Sequence, residues 1–335
     1  MLQGSPEQHL KGVICRTLIS LKNEMIVSLQ SFFDKPFYQD RCAVDTAKDW
    51  TPGFFKPFVL ILVLVLGLVG CSSTKMAYRY ADWGIVWWVE DYVTLTADQK
   101  QQLNSDIDQL RQWHCSAELP RYQAWLDELE SDVSSNPPDK ATVDYHQQQL
   151  FSFFPSLLEK ATPVAVNLLS SLSDEQVQEL ANNMAQSQRE MEDEFLADSP
   201  EATAEARAER TAERVERWLG DLNSEQRDIV RQWSANRGEQ TEIWLQGRRN
   251  WQLALLELLE NRNAPTFEAE LEYLILNSEE VRGEAYKAMM AESRAAMSSL
   301  MHDLIMAGDR ETLAQLQDRT VELNDDFEAL TCSPA

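Results

Sequence analysis

The sequence predicts an all-α protein, an elongated multi-helix bundle behind an N-terminal lipoprotein signal peptide. Three observations predict it. Past position 71 apolar residues recur every three to four positions, and no alternating apolar and polar run stands between turn pairs. Glycine is sparse, at 11 of 335 residues. One short helix-opening pattern also occurs three times. These features divide the chain into a leader with signal peptide, 1–70, and a single all-helical domain, 71–335.

The apolar run Phe58 to Gly70 is too short to span a bilayer, which takes about 20 apolar residues, and it ends on small residues before Cys71. Charge, apolar core and cleavage site stand in signal-peptide order. Leu68-Val69-Gly70-Cys71 matches the bacterial lipobox, in which the cysteine receives lipid and becomes the first residue after cleavage. Ser72 in the next position points to the periplasmic face of the outer membrane. The leader Met1–Trp50 is longer than such a signal needs. A start at Met25 or at Val44 would leave Lys48 and Lys56 as the basic n-region.

The formal net charge is −25. Seven basic and six acidic side chains precede Cys71, leaving 23 against 49 and a net charge of about −26 on the remainder. Such an excess excludes general affinity for nucleic acid, whose phosphates need Lys and Arg, and disfavours adsorption to anionic lipid. The expected membrane contact is therefore the lipid on Cys71. Of the five cysteines only Cys115 and Cys332 fall in the folded part without a lipid. In an oxidising compartment they are either a disulfide closing a very long loop or two buried thiols.

Lys75 to Val93 reads as an aromatic helix, with Tyr78, Tyr80, Trp83, Trp87, Trp88 and Tyr92. It is either central to the core or at a lipid surface; Asp82, Glu90 and Asp91 favour the core. Asp98–Trp113 and Arg121–Val133 each carry one apolar stripe, with Pro120 separating or kinking them. Ser134 to Pro138 is a break. A helix then runs from Asp139 to Phe154, and Pro155 and Pro163 divide the apolar stretch Leu157–Leu169. Asp174–Ala197 follows in register. Ser199-Pro200 opens a helix ending near Trp218-Leu219-Gly220. One long helix is expected over Ser224–Asn261, then Thr266–Leu276, Glu279–Ala307 and Arg310–Leu330.

The repeated pattern is Leu95-Thr96-Ala97-Asp98-Gln99, Leu172-Ser173-Asp174-Glu175-Gln176 and Leu222-Asn223-Ser224-Glu225-Gln226. Each copy sets a capping Thr, Ser or Asn before an acidic first turn, with a leucine placed to staple onto it. The spacing Leu-Thr-x-x-Gln is similar to that of the small periplasmic chaperones of the Spy and CpxP type. That resemblance implies a concave helical surface for unfolded chains. Further residues resemble the DUF6279 family of bacterial lipoproteins: the lipobox, Ala81-Asp82-Trp83, Trp87-Trp88, Asp91-Tyr92-Val93, Trp113-His114, Glu118-Leu119-Pro120-Arg121-Tyr122 and Trp218-Leu219-Gly220. Tyr78-Arg79-Tyr80 departs from that pattern. The resemblance implies a compartment and an all-helical fold, and no reaction.

No catalytic, cofactor or metal site is expected. His9, His114, His146 and His302 share no ligand spacing, and neither a phosphate loop nor a serine elbow occurs. Arg207, Arg210, Arg214 and Arg217 form a basic stripe that could take anions, or with the interleaved Glu205, Glu209, Glu213 and Glu216 a salt-bridged solvent face. Met289, Met290, Met297, Met301 and Met306 are either core filling or an adaptable binding face. Taken together the residues point to a non-catalytic binding, chaperone-like or scaffold role in the envelope, with envelope proteins or unfolded chains as partners. The alternative is an envelope hydrolase or accessory factor for cell-wall or lipid metabolism.

Overall fold

The structure, a computed structural model, describes residues 73–134 and 136–332. The leader, the signal peptide and Cys71 lie outside the described residues. By its contacts the chain divides into two units at Gly84 and Ile85. The first contributes α1 (Ser73–Arg79) and the start of α2 (Ala81–Glu90); Tyr80 between them and Trp83 in α2 are exposed. The aromatic segment expected as one helix is thus broken at Tyr80 and ends at Glu90.

All the regular structure among the second unit's described residues is helical. Thr96 caps α3 (Ala97–Trp113), which passes through a π segment (His114–Glu118) into α4 (Leu119–Val133). Pro120, in the first turn of α4, stands where the α-helical register is interrupted: the π segment separates α3 from α4, and with no N–H on Pro120 the Cys115 carbonyl takes its donor from elsewhere. Asp139 caps α5 (Lys140–Ser152), and the buried Phe153 links it to α6 (Phe154–Ser170). Pro163 lies inside α6 rather than dividing it. Neighbouring Thr162 is buried and its hydroxyl donates to Leu158 O at 2.8 Å. Ser173 and Ser199 cap α7 (Asp174–Phe195) and α8 (Pro200–Leu219), and α8 stops at Gly220, whose φ of 74° suits glycine.

The expected single helix over Ser224–Asn261 is two, α9 (Ser224–Ala235) and α10 (Gln240–Glu260), with Gly238 at φ 50° in the corner between them. Glycine supplies that left-handed residue without a Cβ clash. The corner lets α9 pack on α8 while α10 packs on α7. After α11 (Phe267–Leu276), the expected helix over Glu279–Ala307 is likewise divided, by Gly283 at φ 109°, into α12 (Ser278–Arg282) and α13 (Glu284–Met306). Asp309 caps α14 (Arg310–Leu330), which lies along α4 and α8.

Two hydrophobic clusters fill this unit. One gathers Leu103, Ile107, Leu180, Met184, Leu255, Leu259, Phe267, Leu271 and Leu274 from α3, α7, α10 and α11, with Tyr92 and Trp88 drawn into it. The other gathers Val133, Ala208, Val215, Val230, Leu300, Leu304 and Leu316 from α4, α8, α9, α13 and α14. Leu126, Leu259 and Leu304 are fully buried, each contributing about 1.5–3 kcal/mol relative to exposure. Between α7 and α10 the buried Arg248 donates to Gln188 Oε1 at 2.7 Å and Ser187 Oγ at 3.0 Å, and Ser187 is hydrogen-bonded to the Tyr92 hydroxyl at 3.3 Å. Burial pushes the Tyr92 phenol above its ordinary value. Close approach is required at Gly247, where a Cβ would come within 2.3 Å of the Tyr286 ring.

Cys115 in the π segment and Cys332 after α14 are bonded, with their Cα atoms 5.3 Å apart across 217 residues. The π segment makes room for that contact. Leu119 N–H bonds to His114 O, one residue further back than in an α-helix, and Cys115 O instead accepts from Cys332 N–H at 3.1 Å. Replacing Cys332 by serine is expected to cost about 2–5 kcal/mol. Calorimetry should show a lower melting temperature, and reduction should bring the wild type to the same value.

Candidate binding site

The three cap motifs are full capping boxes in which the glutamine carbonyl accepts from the cap residue's own N–H. Each glutamine then uses its amide nitrogen elsewhere. Gln99 Nε2 donates to Ser171 O at 2.9 Å, and Gln176 Nε2 donates to Thr94 O at 2.8 Å and Gln99 Oε1 at 2.7 Å. The first two motifs therefore lock each other's turns. In the third, Gln226 is 1% exposed and donates to Leu304 O at 2.8 Å, while Asn223 donates to Ala307 O at 3.0 Å. That motif locks onto the turn between α13 and α14. The leucines ahead of the caps, Leu95, Leu172 and Leu222, enter the two cores. The repeat thus builds turns rather than a ligand site.

The arginine stripe divides. Arg207 turns inward, donating from Nε to Ser234 Oγ at 3.0 Å, from Nη1 to Thr241 Oγ1 at 2.9 Å and from Nη2 to Ser234 O at 3.1 Å, which ties α8 to α9 and α10. Arg210 lies over the Phe195 ring at 4.6 Å. Burial lowers the pKa of both guanidinium groups and raises that of the neighbouring Glu194. Arg214 and Arg217 are exposed. The methionines divide too, with Met289 buried and Met297 and Met306 exposed.

His114, in the π segment, is half-buried, and burial holds its pKa below the usual imidazole value. Beside it the buried Glu118 takes both its hydrogen bonds from Arg121 Nη1 at 2.8 Å, and Arg121 lies over Phe153. His146 Nε2 meets Asp132 Oδ2 at 2.9 Å. Among the described residues no group of three or more His, Cys, Asp or Glu side chains is placed to hold a metal ion.

A groove of about 420 Å³ lies between α5 and α13, lined by Asp144, Gln147, Gln148, Phe151, Arg294 and Ala295. The four α5 residues fall at i, i+3, i+4 and i+7, one face of the helix. At one end Asp144 accepts from Lys140 and Ser298, and these bonds, Lys140 first, hold its carboxyl below the usual carboxylate range. Gln147 Nε2 donates to Arg294 O at 2.9 Å, and Arg294 pairs with Glu279 at 2.7 Å. Phe151 is 40% exposed and with Ala295 forms the apolar wall between charges that are already paired. A second groove, of about 270 Å³ beside the locked caps, includes Asp106, which accepts from Gln102 at 2.8 Å and Asn167 at 3.0 Å. Sequence periodicity marks the apolar stripes but not which one the other helices leave uncovered.

The π segment carries a pH signature. His114 has a lowered folded pKa, so its contribution is complete above the unfolded value of about 6.5 and is lost as pH falls toward the folded one. Melting temperature is expected to drop below about pH 6.5. In His114→Gln that part of the decline should be absent.

Among the described residues no helix is long and apolar enough to cross a membrane. No curated protein and no solved structure matches the chain, so the likeness to the Spy and CpxP chaperones rests on the motif alone. Residues 91–287 match the family described as "Family of unknown function (DUF6279)". That span covers more than half of the chain and takes in the π segment, the three cap motifs and the α5 wall of the groove. The protein belongs to the DUF6279 family.

Proposed function

We propose that this is a lipid-anchored, non-catalytic binding protein of the bacterial envelope, held at the periplasmic face of the outer membrane through Cys71. Its α5–α13 groove takes up segments of unfolded or partly folded polypeptide in a chaperone-like or scaffold role. The observation that carries the reading is the exposed apolar wall at Phe151, set in an open groove whose charges are internally paired. Such a wall gains from covering by apolar side chains without demanding one partner geometry. A large negative net charge keeps the protein soluble and disfavours like-charged partners. The lipobox and Ser72 support the address.

Two measurements test this. Mass spectrometry of protein extracted from membranes should find Cys71 N-terminal and acylated; an unmodified Cys71 joined to its leader would remove the anchor. The purified protein should suppress aggregation of a reduced, unfolded client at comparable molarity. Phe151→Ser should weaken that effect severalfold, since only the exposed 40% of the ring remains to be covered, and equal suppression by the variant would exclude the groove.

A further inference from the structure

α11 is apolar on two sides. Phe267, Leu271 and Leu274 face the core and are buried. Ala269, Tyr273 and Leu276, at i, i+4 and i+7, form a second stripe on the opposite side of the helix, and all three are exposed, Tyr273 at 55% and Leu276 at 36%. A helix with one core face ordinarily shows polar residues on the other. Here the polar residues stand at the edges instead. Glu268 and Glu272 flank the stripe on one side and Glu270 on the other, all three exposed, with none of their carboxylates in an ion pair or hydrogen bond among the described residues. Tyr273 is held in place by its hydroxyl, which donates to Glu280 Oε2 at 3.1 Å.

We propose that this outer stripe of α11 docks a basic amphipathic polypeptide segment, with apolar side chains on Tyr273 and Leu276 and Lys or Arg between the three glutamates. Charge complementarity selects this occupant. An anionic membrane is repelled by the same carboxylates, and a second copy of this chain brings a strongly acidic surface of its own. An apolar stripe edged by unpaired carboxylates is suited to a helix whose own apolar face is bordered by cations. The surface is separate from the α5–α13 groove and does not depend on it.

The test uses the full-length protein and a labelled helical peptide of leucine and lysine, followed by fluorescence anisotropy. Saturable binding that weakens with added salt is expected, and it should be about tenfold weaker in the triple variant Glu268→Gln, Glu270→Gln, Glu272→Gln. Leu276→Ser should weaken it independently of salt. Phe151→Ser should leave the salt-dependent part of the binding in place, which separates this surface from the groove. Four results would each overturn the assignment: equal binding by the triple variant, equal binding of a leucine and glutamate peptide, binding to phosphatidylglycerol vesicles that Leu276→Ser abolishes, or a dimer in light scattering that Leu276→Ser dissociates.

Discussion

Every helix begins with amides that its own carbonyls cannot reach, and satisfying them is the constraint around which this protein is arranged. The chain meets it with a residue that has two ends. A glutamine at the third helical position accepts from the cap with its carbonyl, and its nitrogen remains to bind a different turn. Local capping thereby becomes long-range pairing. Gln99 and Gln176 are 77 residues apart, and Gln226 reaches across 78 residues to Leu304. A serine or threonine cap alone would start the helices but leave their ends unregistered with respect to one another.

The same economy appears where helices turn. At Gly238 and Gly283 a single residue at positive φ redirects the chain, so that α9 packs on α8 while α10 packs on α7, and α12 packs on α10 and α11 while α13 also reaches α5 and α9. At the π segment no glycine is used. One extra residue in the turn releases a carbonyl, and the C-terminal strand of chain after α14 supplies the missing donor. These three irregularities decide which faces meet, and so which stripe on α5 and which on α11 is left facing outward.

Much of this was legible in the residues. The caps at Thr96, Ser173, Ser199 and Asn223, the bounds of α8 and α14, and the apolar stripes that fill the cores follow from local chemistry that acts the same way in any helix. The breaks at Gly238 and Gly283 were not, because a lone glycine in a periodic run costs only about 1 kcal/mol and is often simply tolerated. Pro163 misled in the opposite direction, since a proline that looks like a boundary can be absorbed inside a packed helix. Pro120 marks an interruption near the π segment but not the form it takes. The register shift there is stabilised by a residue 217 positions away. The split of the arginine stripe was hidden for a similar reason: only the positions of Ser234 and Thr241 reveal that Arg207 turns inward. The groove depends on which helices are absent from a face, and a sequence does not record absences.

The bond between Cys115 and Cys332 makes a covalent ring of everything from the π segment to the end of α14. A tug delivered through the N-terminal side reaches Cys115 and passes straight to the far terminus, shunted around α4 to α14. Those helices bear no tension even when the ends are drawn apart. A protease cut anywhere inside the ring likewise frees no fragment, so the grip of α14 on α4 outlasts a single nick.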